Sequence, residues 1–319
     1  MEKRNNRPDR PLNERRQFFD SENRPVTPRR PAREGESREE RAERRDDRPE
    51  RREEGSRRDD RPRYPHRPAA DRSIDMIFGL RPILEALNAG RTLDKIFLLR
   101  GTKNSITQDI QVLAKAANIP MSMVPVEKLD GITKKNHQGA VAYVSPIDYM
   151  PLDSILAGLY EEGKTPLLLV LDRITDVRNF GSIARNAECL GVHAIVVPSN
   201  GAAQINGDAL KTSAGALNLI PVCREANLKD TLTFLRESGV QVVACTEKTD
   251  SSLETGSVDL TGPLAILMGS EEDGISPEYL RLADHKLRIP MAGQISSLNV
   301  SVASGIMLYE VLRQRLVKS

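Results

Sequence analysis

The sequence predicts an α/β protein with two domains behind a long N-terminal tail. From Pro166 onward, apolar runs of about five residues alternate with helical patterns, which is typical of a mostly parallel sheet covered on both faces. Shorter strand and helix patterns between residues 73 and 146 predict a small α/β domain. The first 72 residues hold 22 Arg and 1 Lys against 18 Asp and Glu, with almost no aliphatic side chains. We therefore divide the chain into 1–72, 73–146, a linker at 147–165, and 166–319.

The tail of residues 1–72 is predicted to be disordered, because it cannot bury enough apolar surface to offset its ordering entropy. It also holds 9 of the 20 prolines. Arg-rich segments can contact nucleic acid, but the interleaved acidic groups suit a solvated, self-neutralising chain equally well. Both interpretations stay open.

The elements of the small domain follow in order. Strands are predicted at 76–78, 95–99, 121–124 and 139–144, and helices at 80–88 and 106–117. Gly90 supplies the stop signal of the first helix. The linker is expected to contain one short helix.

The C-terminal domain is predicted from continuous apolar runs that suit strands buried on both faces. These runs lie at 167–171, 194–197, 240–244 and 264–268, with a further strand at 286–289. A long apolar helix follows, in which Leu298, Val302, Ile306 and Tyr309 recur at helical spacing.

Composition excludes several classes of protein. The N-terminus has no apolar signal core, and no run approaches the ~18 apolar residues that a membrane span needs. The three cysteines, Cys189, Cys223 and Cys245, are far apart and are predicted to be small buried hydrophobes. The protein is therefore expected in the cytoplasm. No metal site is predicted, since His137 and His193 are expected to be structural or substrate-facing.

Three polar segments follow predicted strands, where ligands bind in open parallel sheets. The first contains Asn179 and Gly181 at a predicted helix entrance, with Ser182 as a plausible N-cap and Arg185 about one turn in. A phosphate could bind the helix N-terminus and this arginine. An ordinary solvent-facing Arg185 is the alternative.

The second segment is the acidic loop Gly269–Ile275, in which two glycines suggest close backbone approach to a ligand. It lacks the glycine pattern of a dinucleotide site, and its acidic groups suit a positively charged sulfonium better than a pyrophosphate. An ordinary loop carboxylate is the alternative interpretation of Glu271. In the third segment, Ser297 and Asn299 open the long helix, and capping explains one of them but not both.

Together these segments resemble the SpoU (TrmH) class of RNA 2′-O-ribose methyltransferases. The motif residues that carry the resemblance are Asn179, Gly181 and Arg185, then Met268-Gly269-Ser270-Glu271, then Ile289-Pro290-Met291 and Ser297-Leu298-Asn299-Val300-Ser301. Residues 74–144, with His137-Gln138-Gly139 near their end, resemble the small RNA-binding domain of that class.

The resemblance implies a deep trefoil knot in the C-terminal domain, S-adenosylmethionine as methyl donor, and a homodimer with the active site near its interface. By motif position, Gly269, Ile289 and Leu298 contact the cofactor, and the loop starting near Thr246 adds further contacts.

The implied reaction is attack of a ribose 2′-hydroxyl on the donor methyl group. The motif assigns catalysis to Arg185. Because a guanidinium stays protonated, we expect it to clamp a neighbouring phosphate and stabilise developing alkoxide charge rather than act as a base. Asn179, Glu271, Ser297 and Asn299 are expected to orient it, the ribose and the donor.

The small domain most resembles the branch that methylates a guanosine of large-subunit (23S) ribosomal RNA. A transfer-RNA 2′-O-methyltransferase and a noncatalytic RNA-binding assembly factor are the alternatives. A basic stripe for RNA is expected on one face. Its members would be Arg81, Lys103, Lys134, Lys135, Arg173 and Arg178.

Overall fold

Two β-sheets organise the part of the chain that the computed structural model describes. The described residues are 76–253, 256, 258–295 and 297–318. The predicted disorder of the 1–72 tail therefore lies outside them.

The first sheet is small and mixed. Its region contains β1 (Met76–Phe78), α1 (Leu80–Asn88), β2 (Leu93–Leu99), α2 (Ser105–Ala116), β3 (Met121–Val124), α3 (Val126–Ile132) and β4 (Ala140–Val144). The strand order is β1-β4-β2-β3, with β4 antiparallel to both neighbours and β3 parallel to β2. Every predicted element of this region is confirmed. The sequence reasoning missed α3, whose seven residues bury only Leu129.

The second sheet has six strands, and every neighbouring pair is parallel. Its region begins with α4 (Leu152–Glu161) and continues with β5 (Leu167–Leu171), α5 (Val177–Cys189), β6 (Ala194–Pro198), α6 (Gly207–Thr212), β7 (Val222–Glu225), α7 (Leu228–Glu237), β8 (Gln241–Cys245), β9 (Leu264–Met268), α8 (Pro277–Leu282), β10 (His285–Leu287) and α9 (Val300–Lys318). The order β10-β8-β9-β5-β6-β7 places β9 and β5 at the centre. All residues of these two strands are buried, as their continuous apolar runs predicted.

The predicted C-terminal helix is confirmed, and part of its apolar surface faces outward. Val302 and Tyr309 are 49% and 59% exposed. The buried face of α9 instead includes Met307, Leu308 and Val311, and the helix packs against α5. Both faces of α9 carry apolar side chains, so residue spacing alone did not distinguish the face that enters this core.

A buried polar cluster joins the two sheet regions. Tyr149 donates a hydrogen bond to the Asp94 carboxylate at 2.9 Å, and Arg224 donates to the Leu93 carbonyl at 3.1 Å. The Arg224 guanidinium lies 3.5 Å from the centre of the Tyr149 ring and 3.6 Å from Asp94. Burial raises the pKa of Asp94, and the charge of Arg224 opposes that shift. The small sheet is thus held to the large one by a charge pair shielded from water.

The linker also contributes to the large sheet. Tyr149 forms a parallel bridge with Val222 on the edge strand β7, and the Met150 N–H donates to the Val222 carbonyl at 2.9 Å. The predicted short helix of the linker is confirmed as α4.

The described residues also bear on the predictions about membrane spans and buried cysteines. None of their helices combines the length and apolar character needed to cross a bilayer. Of the cysteines, Cys223 is buried and Cys245 is half-buried, but Cys189 is exposed, so the prediction of burial was wrong there. Cys189 ends α5 at the surface, where the apolar neighbours in its sequence do not cover it.

Candidate functional site

The first polar segment forms the start of α5. This helix begins at Val177, and the Asp176 side chain caps it by accepting from the Asn179 N–H at 2.8 Å. The expected N-cap at Ser182 is therefore wrong, because that residue lies inside the helix. Arg185 consequently lies two turns into the helix rather than one.

A glycine within α5 has a packing role. A Cβ on Gly181 would lie 2.7 Å from the Ala209 carbonyl oxygen and 2.8 Å from the Thr212 Cβ. Only glycine lets α5 and α6 approach this closely. The glycine of the first motif therefore sets the position of the helix that carries Asn179 and Arg185.

The second segment is a closed loop after β9. The Gly274 N–H donates to the Ser270 carbonyl at 3.0 Å, and the Asp273 N–H donates to the Ser270 hydroxyl at 3.2 Å. A Cβ on Gly269 would lie only 2.2 Å from the Gly274 carbonyl carbon. Gly269 therefore allows the loop backbone to fold directly onto itself, whereas the predicted close approach of a ligand to these glycines stays a prediction.

Three of the predicted site residues meet in one hydrogen-bonded cluster. The Asn179 amide donates to Glu271 Oε1 at 3.1 Å, and the Asn299 amide donates to the same oxygen at 2.7 Å. The Asn299 amide also lies 3.0 Å from Asn179 Oδ1. Asn179 lies 92 positions before Glu271 and 120 before Asn299 in sequence, so three distant segments of the chain meet at the Glu271 carboxylate.

The Glu271 carboxylate also orients the long helix. Its Oε1 accepts from the Val300 N–H at 3.3 Å, at the first residue of α9. Asn299 Oδ1 in turn accepts from the Ser301 N–H at 2.9 Å and from the Ser301 hydroxyl at 2.6 Å. Asn299 therefore both caps the helix and joins the cluster, so helix capping and a role in the site are compatible for this residue. Ser301 was not among the predicted site residues.

The remaining predicted contacts lie around this cluster. Thr246 is buried, with its N–H donating to the Leu287 carbonyl at 2.9 Å. Ile289 packs against the main core, Leu298 is half-buried, and Ser297 is exposed. The loops after β8, β9 and β10 are adjacent, because these strands are neighbours in the sheet.

Arg185 does not join the cluster. Its side chain is exposed, and no hydrogen bond links it to another of the described residues. It shares a helix face with Arg178, two turns earlier. The face beside it, with Ser182 and Asn186, lines an open cavity of about 430 Å³ against α9.

Within the described ranges, no group of three His, Cys, Asp or Glu side chains could hold a metal ion. His193 accepts from the Leu167 N–H at 3.0 Å, and burial lowers its pKa. His137 accepts from the Gly139 N–H at 3.1 Å. Both ring contacts are internal to the fold.

The sequence did not predict that Asp172 and the neighbouring Arg173 form an ion pair beside the site. Arg173, assigned to a basic stripe, binds the carboxylates of Asp172 and Asp273. These ion pairs engage its guanidinium within the fold, and its predicted place in the RNA-facing stripe stays a prediction. The signal available was position alone, since Asp172 and Arg173 directly follow a buried strand.

Comparison with known proteins matches both regions of the chain. A family model described as the SpoU rRNA Methylase family matches residues 166–309, and one described as RNA 2′-O ribose methyltransferase substrate binding matches residues 76–150.

Curated relatives match over most of their length. A putative TrmH family tRNA/rRNA methyltransferase, YacO of Bacillus subtilis, is 37% identical over 76% of this chain and 96% of its own. The 23S rRNA (guanosine-2′-O-)-methyltransferase RlmB of Photobacterium profundum is 36% identical over 76% of this chain and 99% of its own. A crystal structure of the SpoU methyltransferase AviRb from Streptomyces viridochromogenes in complex with AdoMet covers 76% of this chain and 90% of its own, at 27% identity and a TM-score of 0.48.

Proposed function

Because the chain belongs to the SpoU methylase family and is an RNA 2′-O-methyltransferase using S-adenosylmethionine, we propose that its substrate is a guanosine of large-subunit ribosomal RNA. The observation that carries the site assignment is the convergence of Asn179, Glu271 and Asn299 at the carboxyl ends of parallel strands. The named activity of the Photobacterium relative supports the choice of substrate.

The residues at this edge suit the cofactor. Thr246, Gly269, Ile289 and Leu298 lie on three adjacent loops whose backbone groups can hold it. S-adenosylmethionine supplies an electrophilic methyl group on a positively charged sulfonium. Glu271 supplies negative charge at the same edge, which suits that sulfonium.

The chain's own residues then position the RNA. A ribose hydroxyl is a poor nucleophile, so orientation and stabilisation of developing charge must supply much of the rate. We assign Arg185 to clamp the phosphate beside the target ribose and to stabilise the alkoxide. Asn179, Glu271, Ser297 and Asn299 orient the ribose and the donor.

We also propose the domain division given above, with 73–146 binding RNA, 147–165 as linker and 166–319 as the methyltransferase domain. The separate small sheet and its match to a substrate-binding family model support this division. We also propose the trefoil knot that the family resemblance implies. The path of the chain supports it. Arg288, just after β10, exchanges backbone hydrogen bonds with Ser251 and Leu253, and the chain then returns to pack against α5 as α9.

A homodimer is proposed from the outward face of α9. Val302 and Tyr309 are exposed there beside the 430 Å³ cavity, next to the helix that carries Arg185. A partner seated on this face would bring a second chain close to Arg185. In sedimentation experiments, Val302→Glu is expected to give monomers while Val112→Glu, a substitution of an exposed valine on α2, keeps the dimer. A wild-type monomer at micromolar concentration would contradict the proposal.

The test of function is methyl transfer from labelled S-adenosylmethionine to ribosomal and transfer RNA, by wild type and Arg185→Ala. We expect label at a ribose 2′-oxygen of ribosomal RNA and a loss of on the order of 100-fold or more in the variant. Arg236→Ala, which removes a partly exposed arginine of α7 paired with Asp284, is the control and should keep activity.

Label on transfer RNA alone would overturn the proposed substrate and favour the alternative. A third outcome is that the protein binds the cofactor but labels neither RNA. If it also fails to label intact preribosomal particles, a noncatalytic RNA-binding role is favoured.

A further inference from the structure

The first residue after the central strand β5 is a buried carboxylate. The Asp172 side chain is 3% exposed, and its Oδ2 accepts from both the N–H and the hydroxyl of Ser276, each at 2.7 Å. Its own N–H donates to the Met268 carbonyl at 2.8 Å. Asp172 therefore holds both ends of the loop 269–276. It binds Met268, which precedes the loop, and Ser276, which ends it.

The next residue binds the same loop from its outer side. Arg173 donates from Nε to Asp172 at 3.2 Å, from Nη1 to Asp273 at 2.9 Å, and from Nη2 to the Gly274 carbonyl at 3.1 Å. The hydrogen bond that this guanidinium donates to Asp172 raises its pKa. One planar side chain thus spans three acceptors, which a flexible ammonium could not match.

The backbone of Arg173 adds a second, independent observation. Its φ of 55° lies in the left-handed region, which costs a non-glycine residue conformational energy. Such a conformation persists where surrounding contacts over-determine it, and these cluster at functional sites. The strain here coincides with a residue that donates two hydrogen bonds to the loop.

This tether controls what the loop presents. Gly269 lies directly against the Gly274 backbone, so a shift of residues 273–276 necessarily moves Gly269. Glu271, between them, makes the hydrogen bonds to Asn179 and Asn299. The carboxylate of Asp172 is too buried to reach a substrate itself.

We propose that Asp172 and Arg173 are positioning residues that hold the loop 269–276 in the conformation that receives the methyl donor. The proposal rests on the proposed function for the identity of that donor. It adds two residues to the site that act through Gly269 and Glu271 rather than by contact with the reacting atoms.

The experiment compares two tethers of the same chemistry. Arg173→Met and Asp172→Asn break the proposed one. The control pair lies at the amino end of β8, where Asp284 accepts from Arg236 at 2.9 Å and from the Val242 N–H at 2.8 Å. Arg236→Met and Asp284→Asn break this control. The two arginine side chains are 38% and 44% exposed, so their variants should fold comparably.

Two readouts are needed, namely the Kd for S-adenosylmethionine by calorimetry and deuterium exchange of residues 269–276. Arg173→Met is expected to raise the Kd about tenfold and speed exchange in the loop, as loss of an orienting residue does. Arg173→Lys should restore part of the affinity. Arg236→Met should change neither readout, although it lowers the melting temperature.

Wild-type affinity and exchange in Arg173→Met would overturn the proposal. Equal loss of affinity in Arg236→Met would also overturn it, since the effect would then be one of general stability. If the wild type bound no S-adenosylmethionine, the proposed function would fail, and exchange in the loop would still decide whether the tether exists.

Discussion

Two loops of the proposed site are ordered by different means. The loop 269–276 is closed by its own backbone and tied to β5 by Asp172 and Arg173. The loop 289–298 leaves Met291 and Ile295 exposed, at 42% and 76%. Among its described residues, no hydrogen bond joins it to the rest of the described chain. The first loop is preformed by the fold, and we expect the described residues of the second to gain contacts when the methyl donor binds.

The largest expected effect contrasts Glu271 with Ser297. Glu271→Ala leaves the amides of Asn179 and Asn299 without their shared acceptor, and the resulting misplacement should lower kcat for methyl transfer on the order of 100-fold. Ser297→Ala removes an exposed hydroxyl from the open loop and should cost less than about tenfold. Equal losses in steady-state assays would break the contrast between the loops.

A glycine pair provides the next test. The Cβ in Gly269→Ala would meet backbone atoms at 2.2 to 2.4 Å, whereas the Cβ in Gly293→Ala would meet nothing within 4 Å. Gly269→Ala should lower the free energy of unfolding by about 1–3 kcal/mol and weaken S-adenosylmethionine binding about tenfold. Gly293→Ala should leave stability within about 0.5 kcal/mol. Denaturant titrations would reveal whether the preformed loop tolerates the added methyl group.

The smallest effect is a change in exchange rate without any substitution. On addition of S-adenosylmethionine, amide deuterium exchange should slow in 289–295 and 297–298 and change little in 269–276. Strong protection of the preformed loop alone would reverse the inferred roles of the two segments.

The fold was predictable where burial was uniform. The runs 167–171 and 264–268 were identified to the residue, because strands covered on both faces carry apolar side chains throughout. The missed strand β7 lies at the sheet edge, and its VCRE sequence includes Arg224 and Glu225. Arg224 is buried only because Asp94 and Tyr149 of distant segments meet it, which no local pattern reveals.

The candidate site was predictable in membership but not in contacts. Motif spacing identified Asn179, Glu271 and Asn299, which the structure brings together. The tether from Asp172 to Ser276 spans 104 residues, and its partners are ordinary loop residues in sequence. The assigned roles of the site residues, including that of Arg185, stay predictions for the experiments above.

The contact between the linker and β7 has a consequence for the behaviour of the protein in concentrated solution. An unpaired sheet edge invites another chain to add a strand, which leads to aggregation. Here the bridge between Tyr149 and Val222 covers part of one edge. The opposite edge strand, β10, is only three residues long and carries an exposed Lys286. Both borders of the large sheet thus resist the addition of a strand from another chain, which keeps concentrated protein from aggregating through its sheet edges.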